Sequence, residues 1–313
     1  MLSIGIDIGG MSIKIGLVDE NGKIVDIARE KIADSFEKVL AGIEKQIDFL
    51  LSKNNITIDK VKGIGIGCPG MLSKDGIVEV FPNLGWKNAP LVPLLKDRYK
   101  TEVRISNDAN VATLAEAYYG VAKDYNDVVM FTLGTGVGGG VVIDKKLFEG
   151  GDKKGTELGH TTLILGGVPC KCGRRGCLES YVSATALIRQ TKAAMNKDPK
   201  SKMWDFVGGD IEKVDGRTAF ECSKTGDKTA IKVINKFVAY LSDGIMNMLN
   251  IFRPQAFIIG GGISGQGDYL IDKVKKYCKK YHYGYENAPK AEIFAAKLGN
   301  DAGIIGAAAL LNQ

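Results

Sequence analysis

The fold of this chain is decided by the stretch LSIGIDIGG, residues Leu2–Gly10, an apolar run that contains an aspartate and ends in two glycines. Its β-branched residues favour a strand, and the glycines end that strand. The same order of apolar strand and glycine turn returns 125 residues later at Asp127–Leu133, which Gly134-Thr135-Gly136 follows. A repeat at this spacing indicates two related domains that face each other rather than a solenoid. Two unrelated glycine hairpins remain an alternative on this pattern alone.

The composition is that of a folded chain with an excess of glycine. Glycine makes up 40 of 313 residues, about 13% against an average of ~7%, and only 8 prolines accompany it. Such an excess predicts tight turns or backbone that approaches a ligand closely.

The net charge of +6 is a mild surplus, so nucleic-acid binding has little support. No apolar run reaches the ~18 residues of a membrane span, and Asp7 interrupts the first apolar stretch. We therefore expect a cytoplasmic protein without a secretory leader.

The order of strand and helix patterns predicts an α/β fold with two domains. We place an N-terminal domain at residues 1–115, completed by a C-terminal helix at residues 301–313, and a second domain at residues 116–300. A length of 313 residues agrees with two domains of roughly 150 residues. The main predicted strands are Leu2–Ile8, Ile13–Val18, Lys23–Arg29, Val61–Gly67, Val103–Ser106, Gly138–Ile143 and Ala256–Ile259. The main predicted helices are Phe36–Leu51, Asn107–Tyr119, Ala184–Asn196, Asp227–Leu249 and Asp268–Tyr281.

Three glycine turns are candidates for contact with phosphate groups, and each follows a predicted strand. They are Asp7-Ile-Gly9-Gly10, Gly134-Thr135-Gly136 and Gly260-Gly261-Gly262. The first two turns expose backbone N–H groups that can bind phosphate oxygens. Asp7, just before the first turn, is placed to hold Mg²⁺. The third turn is followed by a helix N-terminus, which favours the binding of a nucleotide. Taken singly, each turn has an ordinary structural explanation. Together they are similar to the nucleotide-binding arrangement of the actin and hexokinase superfamily, which implies ATP.

The pattern G-x-G-x-x-G begins at Gly65, Gly134 and Gly260, but in none of these places does it have the setting of a dinucleotide site. Turn residues follow the first and a strand follows the second. After the third, no acidic residue ends a second strand about 20 positions on. No G-x-x-x-x-G-K-[ST] motif occurs either. A Rossmann dehydrogenase and a P-loop enzyme are therefore disfavoured.

Three of the six cysteines form a C-x-C-x₄-C pattern that is typical of a metal site. Cys170, Cys172 and Cys177 follow His160, one of only two histidines. Three cysteines and a histidine are a common tetrahedral zinc set, and four protein ligands leave no open position, so we expect a structural zinc ion. A disulfide or unligated thiols are the alternatives, and a disulfide is disfavoured in a cytosolic chain. The remaining cysteines are predicted to lie in the core: Cys68, Cys222 and Cys278.

These motifs resemble those of the ROK family of bacterial sugar kinases and repressors. They occur in family order along nearly the whole chain: Asp7-Ile-Gly-Gly10, Gly67-Cys-Pro-Gly70, Asn107-Asp-Ala-Asn110, Gly134-Thr-Gly-Val-Gly-Gly139, Glu157-Leu-Gly-His160, the cysteine pattern and Gly260-Gly-Gly262. The resemblance implies two ribonuclease-H-like domains of the actin and hexokinase superfamily around a cleft, with a structural zinc loop. It also implies a homodimer, and we expect the second domain to carry the dimer surface. One position departs from the family, because Met11 stands where threonine usually follows Asp-Ile-Gly-Gly, with Ser12 next to it.

The resemblance also implies roles for individual residues. Asp108 matches the catalytic base that accepts the proton of the attacking sugar hydroxyl. The alternative is that Asn107 or Asp108 only caps the following helix. The residues that match sugar contacts are Gly70, Asn83, Asn107, Asp108, Glu157, His160 and Glu179. The predicted nucleotide contacts are Asp7, Gly9, Gly10, Ser12, Gly134, Thr135, Gly136, Gly261 and Gly262. The predicted zinc ligands are His160, Cys170, Cys172 and Cys177, with the second ring nitrogen of His160 directed towards the sugar.

The function that these motifs predict is phosphorylation of a hexose at its 6-hydroxyl by ATP and Mg²⁺, with glucose as the first choice. Kinases for N-acetylmannosamine, N-acetylglucosamine, mannose, fructose and allose share the same motifs in this family, and a non-catalytic sugar sensor is a further alternative. The family's repressors carry a DNA-binding segment before the first strand, which begins here at Leu2. We therefore expect a kinase with a small-molecule sugar substrate and with no nucleic-acid or membrane partner.

Overall fold

Two compact units make up the structure, a computed structural model that describes residues 1–81, 84–284 and 290–313. The first unit consists of residues 1–128, 140–156 and 297–313. The second consists of residues 129–139 and 157–296. The predicted domains, residues 1–115 with 301–313 and residues 116–300, share with these units the return of the C-terminal helix to the first one. The units differ in that residues 116–128 and 140–156 also belong to the first.

Thirteen strands are present among the described residues, and most are short. They are β1 (Leu2–Ile8), β2 (Ser12–Val18), β3 (Ile24–Lys31), β4 (Val61–Gly67), β5 (Met71–Leu72), β6 (Val78–Phe81), β7 (Trp86–Ala89), β8 (Val103–Ser106), β9 (Val128–Leu133), β10 (Val137–Ile143), β11 (Lys146–Leu147), β12 (Ala256–Gly260) and β13 (Glu292–Ala295).

Ten α-helices accompany these strands in the described part of the chain. They are α1 (Phe36–Lys53), α2 (Leu91–Tyr99), α3 (Asp108–Tyr118), α4 (Glu179–Val182), α5 (Ala184–Met195), α6 (Met203–Phe206), α7 (Thr218–Lys224), α8 (Lys228–Phe252), α9 (Asp268–Tyr281) and α10 (Ala302–Ala309). Side chains that accept a bond from the first turn cap several of them, as at Ser35 of α1, Ser183 of α5 and Asp227 of α8. None of the described helices has the length and apolar character that a bilayer crossing needs.

The two larger sheets have the same strand order. One runs β3-β2-β1-β4-β8 and the other β11-β10-β9-β12-β13, and a small third sheet runs β5-β6-β7. In the first, β1 pairs antiparallel with β2 and parallel with β4. In the second, β10 and β11 pair antiparallel, and β12 and β13 pair parallel. The common order agrees with the repeat predicted from the two strand-and-glycine stretches, and it defines a mixed α/β fold.

Several glycines serve to bring α10 close to the first sheet. A Cβ atom on Gly5 of β1 would lie 2.1 Å from the carbonyl oxygen of Ile304, and one on Gly65 of β4 would lie 1.7 Å from that of Ala307. On the other side of α10, a Cβ atom on Gly306 would lie 1.7 Å from the carbonyl oxygen of Val111 in α3. Part of the glycine excess is therefore explained by helix packing, besides the turns and ligand contacts expected from composition.

The sequence patterns missed several short elements, among them the paired strands β6 and β7, helix α2 and strand β13. In α2, Pro90 and Pro93 suggest a break, yet proline is tolerated in the first turn of a helix, where its missing N–H would have no partner. Strand β13 has only four residues, and its pairing with β12 links segments more than thirty residues apart. Local pattern carries little information about such a strand.

Candidate active site and metal centre

The first glycine turn joins β1 to β2 and holds Asp7 opposite Lys14. The two residues are directly paired in the strand register, and Lys14 Nζ lies 3.1 Å from Asp7 Oδ2. The same ammonium group donates to the carbonyl oxygen of Asn300 at 3.1 Å. The N–H of Gly9 donates to the carbonyl oxygen of Ser12 at 3.0 Å and closes the turn. Lys14 belongs to none of the sequence motifs, and only the hairpin register connects it with Asp7.

Asp108 is the first residue of α3, directly after the end of β8 and the cap residue Asn107. Asn107 has extended backbone and accepts the N–H of Ala109 through Oδ1 at 2.9 Å, so it is the N-cap. Asp108 Oδ1 shares this donor, also at 2.9 Å. The capping alternative therefore applies to Asn107, and the helix does not depend on Asp108 for its cap.

The carboxyl of Asp108 reaches solvent but has an altered acidity. Loss of hydration among the surrounding protein atoms raises its pKa, and the negative charge of Asp7 raises it further, whereas the bond from Ala109 N–H acts in the opposite direction. A carboxylate that is accessible and binds protons more tightly than usual is suited to act as a general base.

The four predicted zinc ligands converge in the second unit. The ligand atoms of His160, Cys170, Cys172 and Cys177 all lie within 4.8 Å of one another. Cys172 Sγ and Cys177 Sγ are 3.7 Å apart, and Cys170 Sγ is 3.6 Å from His160 Nδ1. Tetrahedral bonds of ~2.3 Å to sulfur and ~2.0 Å to nitrogen correspond to separations of about 3.8 Å and about 3.6 Å. A disulfide would need sulfurs ~2.05 Å apart, so the cluster can hold zinc and is not a disulfide.

The loop that carries the cysteines is held by its own side chains and glycines. Arg174 donates to the carbonyl oxygen of His160 at 3.0 Å and to Thr162 Oγ1 at 2.7 Å. Gly173 and Gly176 have φ of +90° and +81°, conformations that a side chain would disfavour. The other three cysteines, Cys68, Cys222 and Cys278, are buried in the core as predicted.

Glu179 links the cysteine cluster to the Gly134–Gly136 turn. Its Oε2 accepts the N–H of Val137 at 2.9 Å, and its Oε1 lies 3.6 Å from Cys170 Sγ. A Cβ atom on Gly136 would lie 2.4 Å from Oε2, so the absence of a side chain at Gly136 makes room for this carboxylate. A residue predicted to contact sugar and a residue predicted to contact nucleotide therefore touch one another.

The glycines of the predicted nucleotide turns have different surroundings. A Cβ atom on Gly134 or Gly262 would meet open space, whereas Gly261 has φ of +77° and would bring a Cβ atom within 2.5 Å of the Leu133 backbone. The segment Gly262–Gln266 is a short 3₁₀ helix, and α9 begins only at Asp268. A helix does follow the third turn, as expected, but it is a 3₁₀ helix of five residues. Few peptide dipoles align in such a helix, so the dipole next to this turn is weaker than expected.

The remaining predicted sugar contacts are placed as follows. Glu157 is exposed and precedes a 3₁₀ turn over Leu158–His160, in which the His160 N–H donates to the Glu157 carbonyl oxygen at 3.0 Å. Gly70 has φ of +103°, and a Cβ atom on it would lie 2.2 Å from the carbonyl oxygen of Val80, so local packing already requires glycine there. Asn83 lies outside the described residues.

Comparison with known proteins identifies the family. The model of the ROK family matches residues 3–313, and the chain belongs to this family. Its fold is that of the ROK kinases, with two α/β units of the actin and hexokinase type.

Three relatives illustrate the similarity. The glucokinase of Thermotoga maritima is 35% identical over 317 residues, which cover 99% of this chain and 97% of that one. The structure of a ROK family glucokinase from Streptomyces griseus, in complex with glucose and AMPPNP, has a TM-score of 0.80 at 32% identity and covers 99% of both chains. The ROK hexokinase of Thermus thermophilus has a TM-score of 0.81 at 28% identity, covering 99% of this chain and 97% of that one.

Proposed function

We propose that the substrate of this ATP-dependent sugar kinase is a hexose, phosphorylated at the 6-hydroxyl, with glucose preferred. The observation that carries the proposal is Asp108, an accessible carboxylate with a raised pKa at the start of α3, where Asn107 already supplies the cap. Membership of the ROK family and similarity to the glucokinases of Thermotoga maritima and Streptomyces griseus support the same conclusion.

In the proposed reaction Asp108 accepts the proton of the sugar 6-hydroxyl, while the oxygen of that hydroxyl attacks the γ-phosphorus of ATP. The new bond joins that oxygen to phosphorus, the bond between phosphorus and the bridging oxygen of ADP breaks, and the products are hexose 6-phosphate and ADP. Phosphoryl transfer depends mostly on positioning and on neutralising charge. Mg²⁺, held at Asp7 directly or through water, would neutralise phosphate charge, and Lys14 adds a fixed positive charge at the same strand pair.

The sugar and nucleotide contacts are proposed residue by residue. We assign the sugar hydroxyls to Gly70, Asn83, Asn107, Glu157, His160 and Glu179. We assign the nucleotide to Gly9, Gly10, Ser12, Gly134, Thr135, Gly136, Gly261 and Gly262. The open space beside Gly134 and Gly262 supports close approach of a ligand at these two positions. Zinc at the cysteine cluster would fix His160 and the loop without entering the chemistry.

The test is sugar-dependent release of ADP from Mg-ATP, measured with glucose, mannose, fructose, allose, N-acetylglucosamine and N-acetylmannosamine. We expect glucose to give the highest turnover and Asp108→Asn to lower it by roughly 10²–10⁴-fold, the usual contribution of a general base. The matched control is Asp97→Asn, which removes an exposed carboxylate paired with Lys100 in the same unit and is expected to leave turnover unchanged. Sugar binding without ADP release would instead favour a sensor. An equal loss of activity in Asp108→Asn and Asp97→Asn would contradict a specific role of Asp108 as the base.

We also propose a homodimer in the cytoplasm, as the family resemblance implies. The free thiols of the cysteine cluster suit a reducing compartment. Light scattering distinguishes the dimer from a monomer of 33.6 kDa, and a monomeric mass would contradict this part of the proposal.

A further inference from the structure

A chain of hydrogen bonds, buried at its centre and partly buried at its two ends, joins the segment before Glu157 to the start of α3. The hydroxyl of Ser106 donates to Glu149 Oε1 at 2.5 Å, and Asn110 Nδ2 donates to Ser106 Oγ at 3.3 Å. The hydroxyl of Thr156 lies 3.1 Å from Asn110 Oδ1 and 2.6 Å from the carbonyl oxygen of Gly155, so these two acceptors share its single hydrogen. All four residues belong to the first unit, and none of them was predicted as functional from the sequence.

The members of this chain at its centre are almost inaccessible to water. Ser106 is 0% exposed and Asn110 is 2% exposed. Buried polar groups are retained where their bonds are satisfied, because an unpaired group is costly. Asn107 caps α3, so the helix does not need Ser106 or Asn110 for this purpose. Asn110 joins the first turn of α3 to Ser106 at the end of β8 and to the segment that carries Thr156.

Thr156 has a backbone conformation that its side chain disfavours. Its φ is +66°, in the left-handed region that β-branched residues rarely adopt. Such conformations persist only where surrounding bonds impose them, and they concentrate at functional sites. On one side the Gly155 N–H donates to the Glu149 carbonyl oxygen at 2.9 Å and closes the loop, and on the other Asn110 holds the Thr156 hydroxyl. The residue that follows is Glu157, the proposed sugar contact.

We infer that Asn110 and Thr156 are positioning residues for Glu157: the bond between them keeps Thr156 left-handed and thereby sets the backbone direction at Glu157 for recognition of a sugar hydroxyl. The inference rests on the proposed function, because it takes Glu157 as a sugar contact. Neither Asn110 nor Thr156 contacts the substrate in the proposed arrangement. Their loss therefore weakens sugar binding, while ATP binding, which does not involve Glu157, stays as it is.

The decisive variant is Thr156→Gly, which removes the hydroxyl and accepts the left-handed conformation without strain. Stability is expected to be retained or increased, since glycine relieves the strain. The sugar Kd is expected to rise about tenfold, as for the loss of one ordering interaction, with the KM for ATP unchanged. Thr156→Ser, which keeps the hydroxyl, is expected to restore most of the sugar affinity. A purely structural role for Thr156 would change the melting temperature and leave the sugar Kd as in the wild type.

Asp144→Gly is the matched control, since Asp144 is another left-handed residue of the first unit, with φ of +51° in the turn between β10 and β11. Its expected effect is on stability alone. Asn110→Ala provides a second arm: if it acts through the Thr156 bond, the double variant with Thr156→Gly binds sugar no more weakly than the weaker single variant. If the losses of sugar affinity in the two single variants add up in the double variant, the two residues act independently, and the inference is overturned.

Calorimetry with glucose, or with the sugar of highest turnover in the panel, gives the Kd independently of catalysis. A wild-type protein that binds sugar, together with a Thr156→Gly variant of equal affinity, rejects the positioning role and leaves the kinase proposal intact. A wild-type protein that neither binds nor phosphorylates any sugar of the panel rejects the proposed function and this inference with it.

Discussion

Asp7 and Asp108 are two carboxylates whose surroundings suit them to different tasks. Asp7 has the Lys14 ammonium group 3.1 Å away. Asp108 has a pKa raised by loss of hydration and then by the charge of Asp7. Pairs of acidic groups in unequal surroundings commonly divide their roles in catalysis. In the proposed reaction Asp7 stays with the phosphate and its metal ion, and Asp108 takes the proton.

The pH dependence of the reaction follows from the direction of this shift. A raised pKa keeps Asp108 protonated, and so inactive as a base, at pH values where an ordinary aspartate with a pKa of 3.8 is already charged. Activity should therefore rise as the pH increases through the pKa of Asp108, with a midpoint above 3.8. The measurement is kcat/KM for the sugar against pH. An acidic limb at the ordinary aspartate value, or none at all, would argue against Asp108 as the base.

The sequence predicts some residues of the site better than others. Asp7 was identified from its place before a glycine turn, and Asp108 from the resemblance of its motif to the family. The pairing of Lys14 with Asp7 depends on strand register, and the contact of Thr156 with Asn110 joins residues 46 positions apart, so neither is visible in local pattern. Met11 is 88% exposed, and nothing in the structure explains the methionine there.

At the scale of elements, the cysteine loop should depend on zinc for its order. Its regular structure is limited to two isolated bridges, Thr162–Cys177 and Pro169–Arg175, so metal bonds would supply much of its stability. We expect one zinc ion per chain and a lower melting temperature after removal by a strong chelator. Cys172→Ser should abolish stoichiometric zinc, whereas Cys222→Ser, at a buried cysteine outside the cluster, should retain it. Elemental analysis and thermal unfolding test this, and a metal-free protein with unchanged stability would contradict it.

The elements that sequence patterns predicted well are those with strong periodicity. Helix α1 was expected over Phe36–Leu51 and is observed over Phe36–Lys53, because its apolar residues recur at helical spacing. The glycines were harder to interpret. Gly5 and Gly65 allow a helix to approach a sheet, whereas Gly134 faces open space, and these two uses look the same in a sequence.

At the scale of the whole molecule, Glu116 joins segments that are far apart in the chain. It is 0% exposed on α3, and its Oε1 accepts the N–H groups of Lys297 and Leu298, each at 2.7 Å. Its Oε2 accepts the Val121 N–H at 3.0 Å. Lys297 and Leu298 begin the segment of residues 297–313 that returns to the first unit, so Glu116 is one of the side chains that bind this segment directly.

We expect Glu116→Gln to cost roughly 1–3 kcal/mol in the free energy of unfolding, since an amide NH₂ would face the Val121 N–H and leave a buried donor without an acceptor. Chemical denaturation measures this cost. Glu20→Gln, which neutralises an exposed carboxylate paired with the N-terminal amine, is the control and should have little effect. Equal stability of both variants would mean that the Glu116 bonds contribute little and that packing and other bonds, such as those from Arg104 to the carbonyl oxygens of Leu310 and Gln313, hold the segment.

The packing of α10 on Gly5 and Gly65 has a consequence for the way the protein is made. Strand β1 leaves the ribosome well before the helix that covers it, which is synthesised almost three hundred residues later. In the meantime one face of the earliest strands lacks its native cover, and exposed apolar strands of this kind are prone to aggregate. During synthesis this face of the sheet is therefore open to aggregation or to chaperone binding until α10 has been made.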